Sequence, residues 1–315
     1  MMRIVFAGTP KFAADHLEAL LRAPGIQIVG IVTQPDKPGK RGKNPIPSPV
    51  KTLAVEHRLP LYQPERLRKA DLASLTFDLL IVVAYGQILR ADLLSMPLIA
   101  PINVHASLLP RWRGAAPIQH AILAGDQETG ISIMRMDEGL DTGPIIATAR
   151  CRIASDETSG SLFEKLSSIG TTALLQTIKT ISERGLTLET QSDEGICYAS
   201  KITKQAGQIN WSENCEIIAR QIRAFSPSPV AFSFLNDKRV RVFDTEILPP
   251  TNSNEQNIVP GTIIEKTKSG LIVECGNGPI CITALQLPTG KGTVLRGAAI
   301  KNVQSSILDP GQRFQ

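Results

Sequence analysis

Cysteine is sparse and shows no pairing pattern. The five residues, Cys151, Cys197, Cys215, Cys275 and Cys281, are odd in number and scattered, and none forms a Cys-x-x-Cys pair. That excludes a disulfide framework and a cysteine zinc site, so they read as small semi-buried hydrophobes. The four histidines are equally dispersed, with no His-Glu-x-x-His or other ligand spacing, and no metal is expected. Long apolar runs are missing too. No stretch approaches the roughly 20 residues that would span a bilayer, and Met1-Met2-Arg3-Ile4-Val5-Phe6-Ala7-Gly8 is too short in its apolar run and too poor in flanking positive charge for a secretory signal. A cytoplasmic location without a membrane partner follows. There is no internal repeat or low-complexity tract, and nothing demands more than a monomer.

What the chain does have is length and apolar content. At 315 residues and 42% hydrophobic composition it can bury two compact cores, so disorder is not expected. A net charge of +5 and a pI near 9.0 are mild for this size; they permit an anionic partner without requiring one.

The first third alternates short β-branched runs with amphipathic stretches, the pattern of a parallel sheet covered by helices. Strands are expected at Arg3 to Gly8, Gln27 to Thr33, Leu79 to Ala84 and Ile102 to Ala106, with helices at Pro10 to Arg22 and Ala115 to Leu123. The unbroken apolar run at Leu79 to Ala84 suits a central strand covered on both faces. Ile131 to Met136 and Ile145 to Arg150 read as an antiparallel pair at the sheet's edge. A helix over 160–183 presents Leu162, Phe163, Leu166, Ile169, Leu174, Leu175 and Ile178 at helical spacing. Residues 190–208 are polar and irregular, a linker after a first domain of 1–189. From Trp211 a helix to about Ala224 precedes short strands at Val240 to Phe243, Gly261 to Ile264, Leu271 to Glu274 and Ile280 to Ala284. Their even spacing predicts a small antiparallel barrel within 209–315. The fold class is therefore α/β, a doubly wound and mostly parallel sheet followed by a small β-barrel.

Two nucleotide motifs fail inspection. Ala7-Gly8-Thr9-Pro10 follows a strand, yet it lacks the two further glycines that let backbone approach a pyrophosphate; Gly8 reads as a tight-turn glycine. Thr289-Gly290-Lys291-Gly292 lacks the upstream glycine and the strand-to-helix setting of a phosphate loop.

Pro101-Ile102-Asn103-Val104-His105-Ala106-Ser107-Leu108-Leu109-Pro110 is more informative. Asn103 and His105 lie two apart on an expected strand, so both side chains point to one face. Near the end of a buried strand each needs a partner, because an unsatisfied polar group costs about 1–3 kcal/mol. A pair bonded to nearby backbone would meet that need, and so would a site. The carboxylate-rich loop Asp137-Glu138-Gly139-Leu140-Asp141-Thr142-Gly143-Pro144 bears on the choice. Turn chemistry alone accounts for its glycines and proline. Acyl transfer to an amine, however, calls for an amide donor at the developing oxyanion, an imidazole, and a carboxylate that orients it and helps take the amine's proton. Asn103, His105 and Asp141 would supply these, at the carboxyl edge where open sheets bind ligands.

The run from Ile102 through Arg111-Trp112-Arg113-Gly114, followed by Gly139-Leu140-Asp141-Thr142-Gly143, resembles the folate-dependent formyltransferases. Phe6-Ala7-Gly8-Thr9-Pro10, Thr33-Gln34-Pro35-Asp36, Ser48-Pro49-Val50-Lys51, Val82-Val83-Ala84-Tyr85-Gly86 and Ala224-Phe225-Ser226-Pro227 also look like that family's blocks, so the resemblance covers essentially the whole chain. It implies transfer of a formyl group from 10-formyltetrahydrofolate, as co-substrate, to the α-amino group of methionine carried on initiator tRNA. Asn103, His105 and Asp141 fall on the family's catalytic triplet. Ser107, Leu108, Leu109 and Pro110 match its folate-contacting stretch, and the loops around Val83, Tyr85 and Gly86 and around Asp137 and Leu140 would hold the pterin.

The loop Asp36-Lys37-Pro38-Gly39-Lys40-Arg41-Gly42-Lys43-Asn44-Pro45 is basic and too rich in glycine and proline to be regular. It reads either as a solvated surface loop or as a phosphate-neutralising one; by resemblance it matches the insertion that meets the tRNA acceptor stem, with Lys40, Arg41 and Lys43 as contacts. Trp112-Arg113-Gly114 is either packing under a helix start or part of the acceptor-end surface, with Arg113 as a further tRNA contact. A formyltransferase acting on an amino sugar nucleotide would share the triplet, but not the basic loop and the second, barrel-like domain. A non-catalytic RNA-binding protein would not need the whole triplet.

Overall fold

The computed structural model describes residues 1–38, 45–249, 258–288, 292–303 and 306–315. Their contacts form two compact units, the first of Met1–Pro117, Glu128–Arg152 and Phe163–Ala199, the second of Ile118–Gln127, Ile153–Leu162 and Ser200–Gln315. The expected linker at 190–208 is thus divided between them, its first part built into the first unit.

In the first unit, β1 (Met2–Gly8), β2 (Ile26–Val32), β3 (Leu61–Tyr62), β4 (Leu79–Val83) and β5 (Ala100–His105) are parallel. Strands β6 (Glu128–Arg135) and β7 (Ile145–Arg152) continue the sheet antiparallel, giving the order β7-β6-β5-β4-β1-β2-β3. The apolar run at β4 is buried throughout, as a strand at the middle of a doubly covered sheet must be. Chain order reverses between β1 and β4, which opens a crevice beyond their carboxyl ends.

Helix α1 (Lys11–Arg22) buries Phe12, Ala13, His16, Leu17 and Leu20, an i, i+4 stripe that faces the core. Helix α2 (Pro49–Glu56) starts where Ser48 Oγ accepts the Lys51 amide at 3.0 Å with proline at the first position. Helices α3 (Pro117–Ala124) and α4 (Ser159–Arg184) follow. His16 is fully buried: Nδ1 donates to the Phe12 carbonyl at 2.7 Å, Nε2 has no partner among the described residues, and burial holds the ring's pKa below its ordinary value. A Cβ on Gly170 of α4 would stand 2.6 Å from that Nε2, so close helix approach requires the glycine. Gly8 likewise serves close approach rather than a turn, since a Cβ there would lie 2.5 Å from Ala13 Cβ and 2.9 Å from the Val83 carbonyl oxygen.

The second unit differs from expectation at its start. Helix α5 spans Cys215–Ala224, because Asn214 caps it by accepting the Glu216 amide at 2.8 Å; Trp211, the expected first residue, is instead a core side chain stacked on Phe314 at 5.2 Å, with Nε1 donating to Ser233 Oγ at 2.9 Å. Strands β8 (Ala231–Leu235), β9 (Lys238–Ile247), β10 (Ile263–Lys266), β11 (Leu271–Cys275) and β12 (Gly278–Gln286) run in the order β8-β9-β12-β11-β10, all antiparallel, with β13 (Leu295–Arg296) on β12. The last residues join the two edges. Gln315 N donates to the Phe234 carbonyl at 2.8 Å on the β8 side, and Gly311 N to the Ile263 carbonyl at 2.8 Å on the β10 side, while Phe314 N reaches the Gly261 carbonyl at 2.9 Å. This closes the expected barrel and leaves neither edge open.

Phe314 is thus both a closure residue and a core residue. Phe314→Ala should cost about 3–5 kcal/mol in the transition of the second unit, read by urea unfolding with tryptophan fluorescence. A loss under about 1 kcal/mol would show that closure does not stabilise the barrel.

Candidate active site

Strand β5 outruns its neighbour. Val82 near the end of β4 stands opposite Asn103, and β5 continues two residues further to His105. On the other side Asn103 pairs with Met134 and His105 with Ser132 of β6. Strand alternation puts the Asn103 and His105 side chains on one face, at the carboxyl edge of the parallel strands.

The connection from β6 to β7 brings a carboxylate back to that edge. Asn103 Nδ2 donates to Asp141 Oδ1 at 3.3 Å, the Gly114 amide donates to Oδ2 at 2.8 Å, and His105 Nδ1 stands 3.7 Å from the same Oδ2. His105 Nε2 lies 2.9 Å from the Trp112 carbonyl oxygen. A carbonyl can only accept, so Nε2 carries the hydrogen and Nδ1 is the nitrogen left to face the carboxylate. The imidazole is nearly buried and Asp141 largely so, their side chains 7% and 16% exposed, which strengthens every charge interaction between them.

Local chemistry explains how Asp141 gets there. Asp137 Oδ1 accepts the Gly139 amide at 3.0 Å and the Thr142 hydroxyl at 2.8 Å, an Asx turn that folds the loop on itself. Gly143 passes so close to β6 that a Cβ would fall 1.9 Å from the Arg135 carbonyl oxygen. Asp141 itself takes a left-handed backbone, φ +54°, which costs a non-glycine residue about 1–2 kcal/mol and here aims its side chain. On the far side, residues 113–114 pair in parallel with 198–199, presenting the Gly114 amide to the carboxylate.

The expected folate segments are held by their own bonds. Ser132 Oγ donates to the Ser107 carbonyl at 2.8 Å and accepts the Leu109 amide at 3.0 Å, and Ser107 Oγ donates to the Arg111 carbonyl at 2.6 Å. Ser107 is therefore buried and spent on the turn, while Leu108, Leu109 and Pro110 are half-buried on it. Val83 and Tyr85 turn their side chains into the core; burial pushes the Tyr85 phenol up to about 12, and its hydroxyl has no partner among the described residues. What the 83–86 loop can offer a ligand is backbone. The Tyr85 carbonyl is already taken by Thr9 Oγ1 at 3.1 Å and Gln34 Nε2 at 2.9 Å, and Gly86 sits at φ +81°. Leu140 projects 59% exposed, an apolar surface next to the triplet.

The expectation that Arg113 is a surface contact for tRNA is corrected: it is buried, and its Nε and Nη2 donate to Gln191 Oε1 at 3.2 and 2.8 Å. Lys40, Arg41 and Lys43 lie outside the described residues. Three contributors had no signature in the sequence: the Gly114 amide, the Trp112 carbonyl and Gln191. Backbone groups carry no residue-type signal, and Gln191 sits in a stretch that reads as linker. No group of three or more His, Cys, Asp or Glu able to hold a metal occurs among the described residues. A cavity of about 580 Å³ between β7 and α4 has none of the triplet in its lining; converging polar groups, not volume, mark the site.

Comparison with known proteins gives the family. Residues 2–178 match the family model described as formyl transferase, and residues 201–297 match its C-terminal domain. The class is thus formyl transferase. The sequence is 47% identical to the methionyl-tRNA formyltransferase of Pseudomonas syringae over 92% of this chain and 91% of that one, and 45% identical to that of Idiomarina loihiensis over the full length of both. The chain belongs to the methionyl-tRNA formyltransferase family. An N-formyltransferase from Helicobacter canadensis, solved with folinic acid and dTDP-3-aminofucose, shares the fold at a TM-score of 0.66 and 18% identity, covering 90% of this chain and 99% of that one.

Gly143→Ala should push the loop off β6 and displace Asp141. Since a misplacement of about 1 Å can cost on the order of 100-fold, formylation should fall at least tenfold while thermal unfolding stays cooperative. Unchanged turnover would mean the loop position is not set by this contact.

Proposed function

We propose that this protein transfers the formyl group of 10-formyltetrahydrofolate to the α-amino group of methionine esterified to initiator tRNA, with Asn103, His105 and Asp141 as its catalytic groups. The observation that carries this reading is the convergence of the three side chains, 3.3 and 3.7 Å apart, from segments 38 residues apart in sequence. Identity of 45–47% to methionyl-tRNA formyltransferases across both units supports the acceptor; the sugar-directed relative shares only the fold.

In this reading the amine nitrogen adds to the formyl carbon, and charge builds on the formyl oxygen. The Asn103 carboxamide donates to that oxygen, exchanging its bond to Asp141 for one that strengthens as the transition state forms. His105, with Nε2 occupied by the Trp112 carbonyl, works through Nδ1. Asp141 receives the proton that the attacking amine loses. Collapse breaks the bond from the formyl carbon to N10, and the proton passes to N10, releasing tetrahydrofolate and the formylated ester. The 107–110 turn, the 84–86 backbone and the apolar face of Leu140 would hold the donor. The basic loop with Lys40, Arg41 and Lys43 would neutralise phosphates of the acceptor stem in the cytoplasm.

Asp141→Asn keeps the shape of the side chain but not its basicity, so kcat/KM with charged initiator tRNA should fall by about 10²–10⁴-fold, with His105→Ala in the same range. Near-full turnover in either would remove that residue from the mechanism. Replacing Lys40, Arg41 and Lys43 together with Ala should raise KM for the tRNA and flatten its salt dependence by about three phosphate contacts, without altering folate binding. An unchanged salt slope would assign tRNA contact elsewhere.

A further inference from the structure

Gln191 is nine-tenths buried and has both polar atoms of its side chain committed. Its Nε2 donates to the carbonyl oxygens of Asp141, at 2.8 Å, and Gly143, at 2.7 Å. Its Oε1 accepts from Nε and Nη2 of Arg113, at 3.2 and 2.8 Å. Two carbonyls on one side and a guanidinium on the other leave no freedom in the orientation of the amide, because carbonyls only accept and the guanidinium only donates. Arg113 is itself buried and forms no ion pair among the described residues, so Gln191 is what satisfies its fork.

The bracket acts on the residue that needs it. Asp141 has a left-handed backbone, and such a conformation persists where surrounding structure over-determines it. Asp141 is fixed at two ends: its carboxylate by Asn103 and Gly114, its carbonyl by Gln191. The same chain stretch is tied to the opposite wall of the site. Arg113 N donates to the Cys197 carbonyl at 3.0 Å, Trp112 N to Cys197 Sγ at 3.3 Å, and Ala115 N to the Ala199 carbonyl at 2.8 Å. Residues 191–199 therefore form a strap that carries both the Trp112 peptide, which accepts from His105, and the Asp141 backbone.

We propose that Gln191 is a positioning residue for formyl transfer: by bridging Arg113 to the carbonyls of Asp141 and Gly143 it holds the Asp141 backbone in its left-handed state and so aims the carboxylate at Asn103 and His105. The proposal rests on the catalytic reading of Asp141 given above. It adds that side-chain amide donors at position 191 are required, and that a residue resembling linker belongs to the machinery of the site.

The test uses Gln191→Glu, which keeps oxygens for Arg113, gains an ion pair with it, and loses both donors to the loop. Thermal unfolding should stay cooperative, with a lower midpoint because the Asp141 and Gly143 carbonyls lose their donor. The Gly114 amide, which donates to Asp141 Oδ2, should exchange with solvent at least tenfold faster by NMR, and kcat should drop by about tenfold to a hundredfold with a smaller change in KM for either substrate. In an Asp141→Asn background the same substitution should cost no further activity, because both changes act through one group. Unaltered exchange at Gly114 would overturn the bracing whatever the activity, and an equal loss of kcat in both backgrounds would overturn action through Asp141. If Asp141→Asn alone is fully active while exchange at Gly114 rises in Gln191→Glu, the catalytic reading of Asp141 fails and the bracing stands.

Discussion

The Asp141 carboxylate is the group on which the geometry of the site depends. It is largely buried, and a buried charge is tolerated only where its oxygens are satisfied. Oδ1 is met by the Asn103 amide and Oδ2 by the Gly114 amide, bonds to a charged acceptor that are worth about 1.5–3 kcal/mol each. Those bonds fix more than the carboxylate. They determine which face Asn103 presents and where the chain after Trp112 runs. The left-handed backbone at Asp141 is the cost of this arrangement, offset by the pair of bonds from Gln191.

The sheet explains why these groups meet at this level and not elsewhere. Parallel pairing from β3 to β5 puts every carboxyl end on one edge, and β5 extends two residues beyond the level of Val82. Strand β6 returns antiparallel after a connection that contains α3, so its end stands level with Pro101 and Ile102, and the loop to β7 folds back over the sheet to reach Asn103. Asp141 thus meets Asn103 from 38 residues further along the chain.

Much of this was legible in the residues. Continuous apolar character announced β4, the segments of β6 and β7 read as an antiparallel pair, and period-two spacing put Asn103 and His105 together. Those signals are local, and burial acts on them locally. What was not legible depends on distant backbone. The barrel closes through residues 311–315, whose short run has no strand pattern because its partners on β8 and β10 supply the pairing. Trp211 reads as a helix residue by its neighbours, yet the Asn214 cap starts the helix later and frees the indole for Phe314. Gly8 reads as a turn glycine until the Ala13 and Val83 contacts show that it is there for room.

Arg113 marks where reading by residue type fails for a physical reason. A cation beside a tryptophan and a glycine suggests a phosphate contact, because guanidinium groups are usually exposed. Desolvating one is tolerable only if its donors are occupied, and that requirement selects a partner with a free acceptor rather than an opposite charge. Gln191 meets it while its other end still holds two carbonyls, something a carboxylate at the same position could not do, having no donor to give. The neutral amide is thus the side chain whose two ends match both neighbours at once. The buried cation and the strained aspartate are coupled through it. The edge around Asp141 is in this sense built by four stretches of chain rather than three, and the fourth is the one whose composition gave no sign of it.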